Sequence, residues 1–341
     1  MHSLPTLGVE NERSVADPVA GSLRRGGAWL VGLIGADGGI AGSALASVYY
    51  KVPATLALNG ELGAARRNLE FIAAHFLTSD GGLSIPADQP AARSYDRGWL
   101  VWGAAMCGRY DIAFRLADEL KASQNPATGG FWDTPQEQAA GSGRQNALSV
   151  GMAGLGLLSV RHVDGARRAA DFLLHLLRIQ PASEEGMYLA MDVSAAGQPT
   201  LVASRTPLDY VDRRGVKQRP ARLGPAQVLL IRLYRLSKES RYLDAAWAYT
   251  TLFLEGAPGI YDCVEAHKFM WGLDELDGVS PDARLREASD RIAGYLVARQ
   301  QPDGQWWGDA VGGGDGQSLD LRLNTTCNAL VGLASHLHAR T

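Results

Sequence analysis

The stretch of this chain richest in chemically capable side chains is YDCVEAHKFMWG, Tyr261 to Gly272. Asp262, Glu265 and Lys268 follow one another at a spacing of three, which places them on one face of a helix. At a helix N-terminus a carboxylate is favoured as the anion and a lysine is disfavoured as the cation, so the group suits an acid/base pair. An ion pair locking neighbouring helices is the other reading of the same residues. His267 lies one helical turn after Cys263, which raises the further option of a nucleophilic thiol.

A second cluster is SYDRGWLVWG, where Asp96 and Trp99 share a face and Tyr95, Trp99 and Trp102 offer aromatic surface. A carboxylate among aromatics is either a general acid with raised pKa or a helix N-cap followed by core tryptophans. The aromatics could also cradle an apolar or cationic intermediate. Asp133, Asp192, Asp262 and Asp309 recur just after turns, a recurrence that favours helix capping. Asp133 and Asp309 follow aromatic pairs, so they, with Trp307, are expected at a cavity. Tyr49, Tyr50, Arg144, Asn324 and Cys327, at the starts of apolar helical segments, complete the expected substrate-binding set, with Lys51 and Gln227 nearby. Arg213, Arg214, Lys217, Arg219 and Arg222 make the interval 193–222 basic. It is expected to be a lid able to grip a carboxylate, a phosphate or a thioester carrier, or else a solvated loop.

These residues are positioned by a repeat. In RIAGYLVARQQPDGQWWGD the pattern is Arg291, Tyr295-Leu296, Gln300, Gly304, Trp306, and Arg25, Trp29-Leu30, Ile34, Gly38 and Ile40 reproduce its spacing. Looser copies end at Leu83, Phe131, Tyr188 and Tyr261, giving six units. Each is followed by a second helical segment, richer in Ala, Gly and bulky apolar residues on several faces. These segments suit an inner ring, while the charged-faced helices of the repeat suit an outer one. The chain starts with an outer-type helix and ends with an inner-type one. Pairing those two closes a ring, so the expected fold is all-α, an (α/α)6 barrel of six helical hairpins. It would span 21–341 as one domain after an N-terminal extension, 1–20. Strand signals are confined to TLVAS, from Thr200 to Ser204.

The pattern Arg-x3-Tyr-Leu-x3-Gln-x3-Gly-x-Trp resembles the QW motif of terpenoid cyclases of the squalene-cyclase type, whose α/α-toroid domains are similar to protein prenyltransferase β subunits. The resemblance implies a cyclase, isomerase or lyase of small-molecule biosynthesis, acting on a largely apolar substrate by general acid/base catalysis in the central cavity. The Asp-x-Asp-Asp acid of class II cyclases does not occur here. Asn324 stands where the prenyltransferase-like helix would carry a zinc-ligating His, and amides are poor zinc ligands, so no metal and no cofactor are expected. The same architecture hosts sugar hydrolases, epimerases and lyases. For that alternative Asp96 and Glu265 would be the two carboxylates, with Trp99, Trp132 and Trp307 as platforms. A non-catalytic binding protein is the third reading.

A formal charge of -3 offers no global attraction for nucleic acid, and no apolar run approaches a membrane span. Cys107, Cys263 and Cys327 are far apart, as befits reduced thiols, and the first twenty residues lack a signal-peptide pattern. The expectation is a cytoplasmic protein with a small-molecule substrate, one that can carry an anionic group.

Overall fold

A computed structural model describes residues 10–43, 46–78, 82–84, 93–181, 185–206, 208–215, 222–309 and 317–341. Among them, six helices follow one another around an inner ring: α3 (Val52–Leu58), α5 (Arg93–Met106), α8 (Ala147–Ser159), α10 (Gly224–Ser237), α12 (His267–Asp277) and α14 (Leu319–Arg340). Each contacts the next, and α14 returns to α3. Outside them lie α1 (Glu10–Gly32), α4 (Leu62–His75), α6 (Tyr110–Ala122), α9 (Val163–Arg178), α11 (Ser240–Leu254) and α13 (Ala283–Arg299). α1 packs on α14, as the arithmetic of the two chain ends requires, so the fold is an (α/α)6 barrel. α1 starts at Glu10, inside the segment read from sequence as an extension. The short helices α2 (Ala46–Tyr49) and α7 (Pro135–Ala140) sit in connections.

Composition separates the two rings. α8 is apolar or small nearly all round, and ten of its residues from Ala147 to Leu157 are buried. Small residues let the inner helices approach closely: a Cβ on Gly98 of α5 would lie 2.4 Å from the Met152 carbonyl oxygen of α8. The outer α9 instead buries one stripe, Ala166, Ala169, Ala170, Leu173 and Leu176 among it, and leaves its charged face in water.

The repeat's fixed positions make the joints between outer helices. Gln300, the C-cap of α13, donates from Nε2 to the Ser22 carbonyl of α1 and to the Gly304 carbonyl, both at 2.9 Å, while its Oε1 accepts from the Ser22 hydroxyl at 2.6 Å and from Arg25 at 2.5 Å. Gly304 has φ +100°, and a Cβ there would sit 2.4 Å from the Arg25 carbonyl oxygen. Trp306 is fully buried and donates its indole N–H to the Leu296 carbonyl at 2.7 Å. Gln124 does the same one joint on from α6, donating to the carbonyls of Gly129 and Gly165 and accepting from Arg168, with Gly129 against the Arg168 carbonyl of α9. Gly38 meets the Arg67 carbonyl of α4 in the same way. These bonds give the repeat's fixed positions a structural role.

Strands are more numerous than the sequence suggested. β1 (Gly143–Asn146) pairs antiparallel with β3 (Ala190–Val193), which pairs with β4 (Pro199–Leu201), and β2 (Gly186–Tyr188) pairs with β5 (Tyr210–Asp212). Only β4 overlaps TLVAS. Segments of three or four residues are too short to show alternation, and their order comes from pairing across the chain. Lys217 and Arg219 of the expected lid lie outside the described residues. Arg213 is bound to the Glu255 carbonyl, and Arg222 donates to the Leu208 carbonyl at 3.2 Å.

Removing the side-chain amide at the closing joint tests this account. Gln300→Ala is expected to lower stability by about 1–3 kcal/mol in urea unfolding, because it leaves backbone carbonyls and Ser22 without their partner. Gln301→Ala, next door and with a side chain bonded, among the described residues, only to the Arg299 carbonyl at 3.3 Å, should change stability by less than about 0.5 kcal/mol. Equal effects would refute the joint.

Candidate active site

The turn after each outer helix delivers the chain to the start of an inner helix, so the inner N-termini gather at one mouth of the barrel. Tyr50 and Lys51 immediately precede α3, Tyr95 and Asp96 lie in the first turn of α5, His267 and Lys268 open α12, and Asn324 and Cys327 lie in the second and third turns of α14. These eight side chains, with Trp99, form one cluster.

Two lysines organise it. Lys51 is 3% exposed; its Nζ donates to Asn324 Oδ1 and lies 4.9, 5.4 and 5.9 Å from the ring centroids of Tyr50, Tyr95 and Trp99. Lys268 is also buried and donates to Tyr95 Oη at 2.9 Å. Neither lysine has a carboxylate within ion-pair distance among the described residues. The Tyr50 hydroxyl lies 3.4 Å from Asn324 Oδ1. Cys327 is buried next to Thr55 and Lys51.

Burial dominates the electrostatics. It pushes the Asp96 carboxyl up to about 7; Lys51 pulls the other way, and the negative charge of Asp133 adds to the rise. No hydrogen-bond donor reaches Asp96 among the described residues. Burial lowers Lys51 to about 8, opposed by the negative charges of Cys327 and Asp96. Lys268 is driven well below its ordinary range by burial and then by the charges of Lys51 and Arg222. His267 is held well below its ordinary value by burial and by Lys268. Its Nδ1 lies 2.7 Å from the Val264 carbonyl, which fixes the proton on Nδ1 and leaves Nε2 as the basic nitrogen. Asp133 accepts from the Ser94 hydroxyl at 2.6 Å and the Ser94 N–H at 3.2 Å, yet burial still raises it to about 6. A cavity of about 310 Å³ lined by Arg97, Trp132 and Asp133 opens beside it.

Below the cluster, Trp99 lies tilted against Trp102 at 5.4 Å between centroids and Trp102 stacks on Trp271 at 5.1 Å, and the Arg232 guanidinium covers Trp102 and Trp271 at 5.7 and 5.5 Å. Arg232 is held in turn by Glu275. This stack fills the barrel between the cluster and a separate cavity of about 1150 Å³ at the opposite mouth, lined by Arg161, Arg235, Asp277 and His338 among others.

Several expected site residues lie elsewhere. Asp262 does not share a face with Glu265 and Lys268, because two 3₁₀ turns, Pro258–Tyr261 and Val264–Ala266, replace the expected start of the helix. It points outward and pairs with Arg291 at 2.7 and 2.9 Å. Glu265 accepts from the Cys263 thiol at 2.8 Å, and it is not among the charges found to act on Asp96, which are those of Lys51, Asp133 and Arg97. Asp309 accepts from the Val264 N–H, Tyr295 and Arg299, a structural anchor for the turn before α12. Trp307 is half-buried in the same turn, and no hydrogen bond or ring contact joins it to the cluster among the described residues. Arg144 belongs to β1, where it pairs with Asp192 and Asp209. Tyr49 is buried against Phe71 and Phe76 and ties the Ile40 N–H to the Ser43 carbonyl. Burial raises the Cys263 thiol, which removes the case for a nucleophile there.

Lys51 is the central residue that sequence reasoning left outside its site list. Its signal was present: it is the one charged residue in ALASVYYKVPATLALNG, directly after two tyrosines.

No protein-family model matches the chain, and no curated protein matches it in sequence. Solved structures do match. The α-1,6-mannanase GH76A of Salegentibacter sp. HEL1_6 superposes with TM-score 0.69 at 13% identity, covering 94% of this chain and 99% of its own. An inactive variant of that mannanase, with two aspartates replaced by asparagine and in complex with α-1,6-mannotriose, matches at 12% identity over the same share of both chains. The type II terpene cyclase MstE of Scytonema, in complex with geranylgeranyl dihydroxybenzoate, superposes with TM-score 0.60 at 14% identity, covering 96% of this chain and 99% of its own. The fold is an α/α toroid. A family 76 glycoside hydrolase from a bovine Bacteroides thetaiotaomicron strain matches at TM-score 0.62 and 14% identity, covering 94% of this chain and 77% of its own. The toroid is thus shared with a sugar hydrolase and with a terpene cyclase, and no Asp-Asp dipeptide occurs in the present chain. No helix among the described residues is long and apolar enough to cross a membrane.

The buried Asp96 has a measurable signature. It binds its proton more tightly in the folded than in the unfolded chain, so the stability it contributes is full below about pH 4 and is lost as pH rises to about 7. Above that, the buried carboxylate costs up to about 4 kcal/mol. Asp96→Asn, which keeps the shape and removes the charge, should therefore match the parent in urea unfolding near pH 4 and exceed it near pH 8. A difference independent of pH would contradict the assignment.

Proposed function

We propose that the chain is an enzyme and that the Asp96 cluster is its reaction centre, performing general acid/base chemistry of the cyclase, isomerase or lyase kind on a small amphipathic molecule. The observation that carries this reading is Asp96 itself: a carboxyl poised near neutrality with no hydrogen-bond donor among the described residues, beside a lysine displaced to about 8. A carboxyl in this state delivers or removes a proton at neutral pH. Tyr50, Tyr95 and Trp99 provide the surface for an apolar body, and Lys51 favours an anionic group on the substrate.

A second reading is glycoside hydrolysis, with Asp96 as the general acid and Asp133 as the base or nucleophile. It is supported by the charge of Asp133 acting on Asp96 and by the likeness to family 76 glycoside hydrolases. Asp133 replaces Glu265 as the second carboxylate in this version.

Asp96→Asn is expected to lower kcat about 10²–10⁴-fold on either reading. Asp133→Asn separates them: a loss of similar size, measured on α-1,6-linked manno-oligosaccharides, supports the hydrolase. A loss below about tenfold, with turnover of a prenylated aromatic carboxylate or a related amphipathic acid, supports the first reading. Asp262→Asn, which only breaks an outer ion pair, should leave kcat within about twofold. Retained activity in Asp96→Asn would remove Asp96 from the mechanism.

A further inference from the structure

The general acid/base reading does not use the most unusual group in the cluster, the amine of Lys268. It opens an inner helix, is 6% exposed, and makes its one hydrogen bond among the described residues to a neutral phenol, Tyr95 Oη, at 2.9 Å. A buried ammonium with no counter-ion is strongly unfavourable, and Lys268 has two further cations close by, Lys51 and Arg222. Lys51 has the setting that tolerates charge: three aromatic faces and the Asn324 oxygen. The two lysines therefore divide the roles, Lys51 as the cation and Lys268 as the free amine. A neutral amine in a dry pocket next to an ammonium is the arrangement that makes lysine a nucleophile toward carbonyl carbon.

We infer that Lys268 forms an imine with its substrate, and that the substrate is an aldehyde or ketone carrying a carboxylate or phosphate near the carbonyl. This rests on reading the cluster as a reaction centre. The lone pair of Lys268 Nζ attacks the carbonyl carbon, forming the C–N bond while the C=O π electrons move to oxygen. That oxygen takes a proton from the neighbouring Lys51 ammonium, and the nitrogen returns one to the resulting Lys51 amine by way of Tyr95, giving a neutral carbinolamine. The restored Lys51 ammonium then delivers its proton to the hydroxyl, which leaves as water while the nitrogen lone pair forms the C=N bond of the iminium and Lys51 is left as the amine. In sum, amine, carbonyl and one proton become iminium and water, with no oxidant or reductant. The positive charges of Lys51 and Arg222 select for the anionic group. The iminium then serves as the electron sink for proton removal at the adjacent carbon, the step an isomerase or lyase needs.

The test needs no knowledge of the natural substrate. The full chain is incubated with pyruvate or glyoxylate and sodium cyanoborohydride, digested, and mapped by mass spectrometry. The expected result is a reduced adduct on Lys268 at least about tenfold more abundant than on the exposed Lys121. 2-Butanone, which lacks the carboxylate, should label Lys268 at least about tenfold less, and equal labelling would overturn the anionic requirement. Adducts on Lys51 in place of Lys268, on exposed lysines alone, or on none would overturn the imine. The Asp96→Asn assay keeps the two proposals apart: lost turnover without labelling leaves the reaction centre and removes the imine. Labelling at Lys268 with turnover intact in that variant does the reverse.

Discussion

The contact on which the whole molecule depends is the seat of a turn glycine on the backbone of the next outer helix. Gly38 lies on Arg67, Gly129 on Arg168 and Gly304 on Arg25, each so close that a side chain would meet a carbonyl oxygen. Backbone packed on backbone leaves little freedom in the angle between successive hairpins, and a glutamine bridging the two helices at two of these joints removes more. The last of the three joins α13 to α1, so the repeat that spaces the hairpins also closes them. A ring closed in this way points the starts of its inner helices to one mouth, and there the chemically capable side chains meet.

Meeting there changes what those side chains are. In water Asp96 would be an ordinary carboxylate and Lys51 and Lys268 ordinary ammonium groups. Enclosed together above three packed tryptophans, the acid is displaced up to about 7, Lys51 down to about 8 and Lys268 well below its ordinary range. Such a site is unfavourable for stability, and the tightly packed inner ring has to support it. The residues that proved structural tell the same story from the other side: Asp262 and Asp309 have strong donors at ideal distances, with Arg291 for the first and Arg299, Tyr295 and the Val264 N–H for the second.

Shared architecture leaves the chemistry open because the toroid presents six helix starts to one mouth and places no demand on which residues occupy them. The mannanase and the terpene cyclase that resemble this chain use that freedom differently. The present chain combines an aspartate whose proton affinity is raised by burial, a second aspartate held by Ser94, and a pair of lysines without carboxylate partners among the described residues. That combination is the reason for asking about carbonyl chemistry as well as proton transfer.

The sequence by itself determined the architecture: a sixfold pattern of helix end, glycine and aromatic, two kinds of helix, and unmatched ends that had to pair. Periodicity is a local property, and repetition amplifies it above the noise of any one copy. It also marked Asp96, Tyr95, Trp99, His267 and Lys268, because charged groups in apolar segments stand out. Tertiary structure decided the rest. Whether Asp262 joined Lys268 depended on 3₁₀ turns that replaced a helix, the partner of Asp96 depended on the distance between two repeats, and five short strands depended on pairing across the chain. The place of Lys51 among three aromatic rings and Asn324 joins opposite ends of the chain. Proton affinity and partnership are set by what surrounds a side chain in space, and no spacing along the chain encodes that directly.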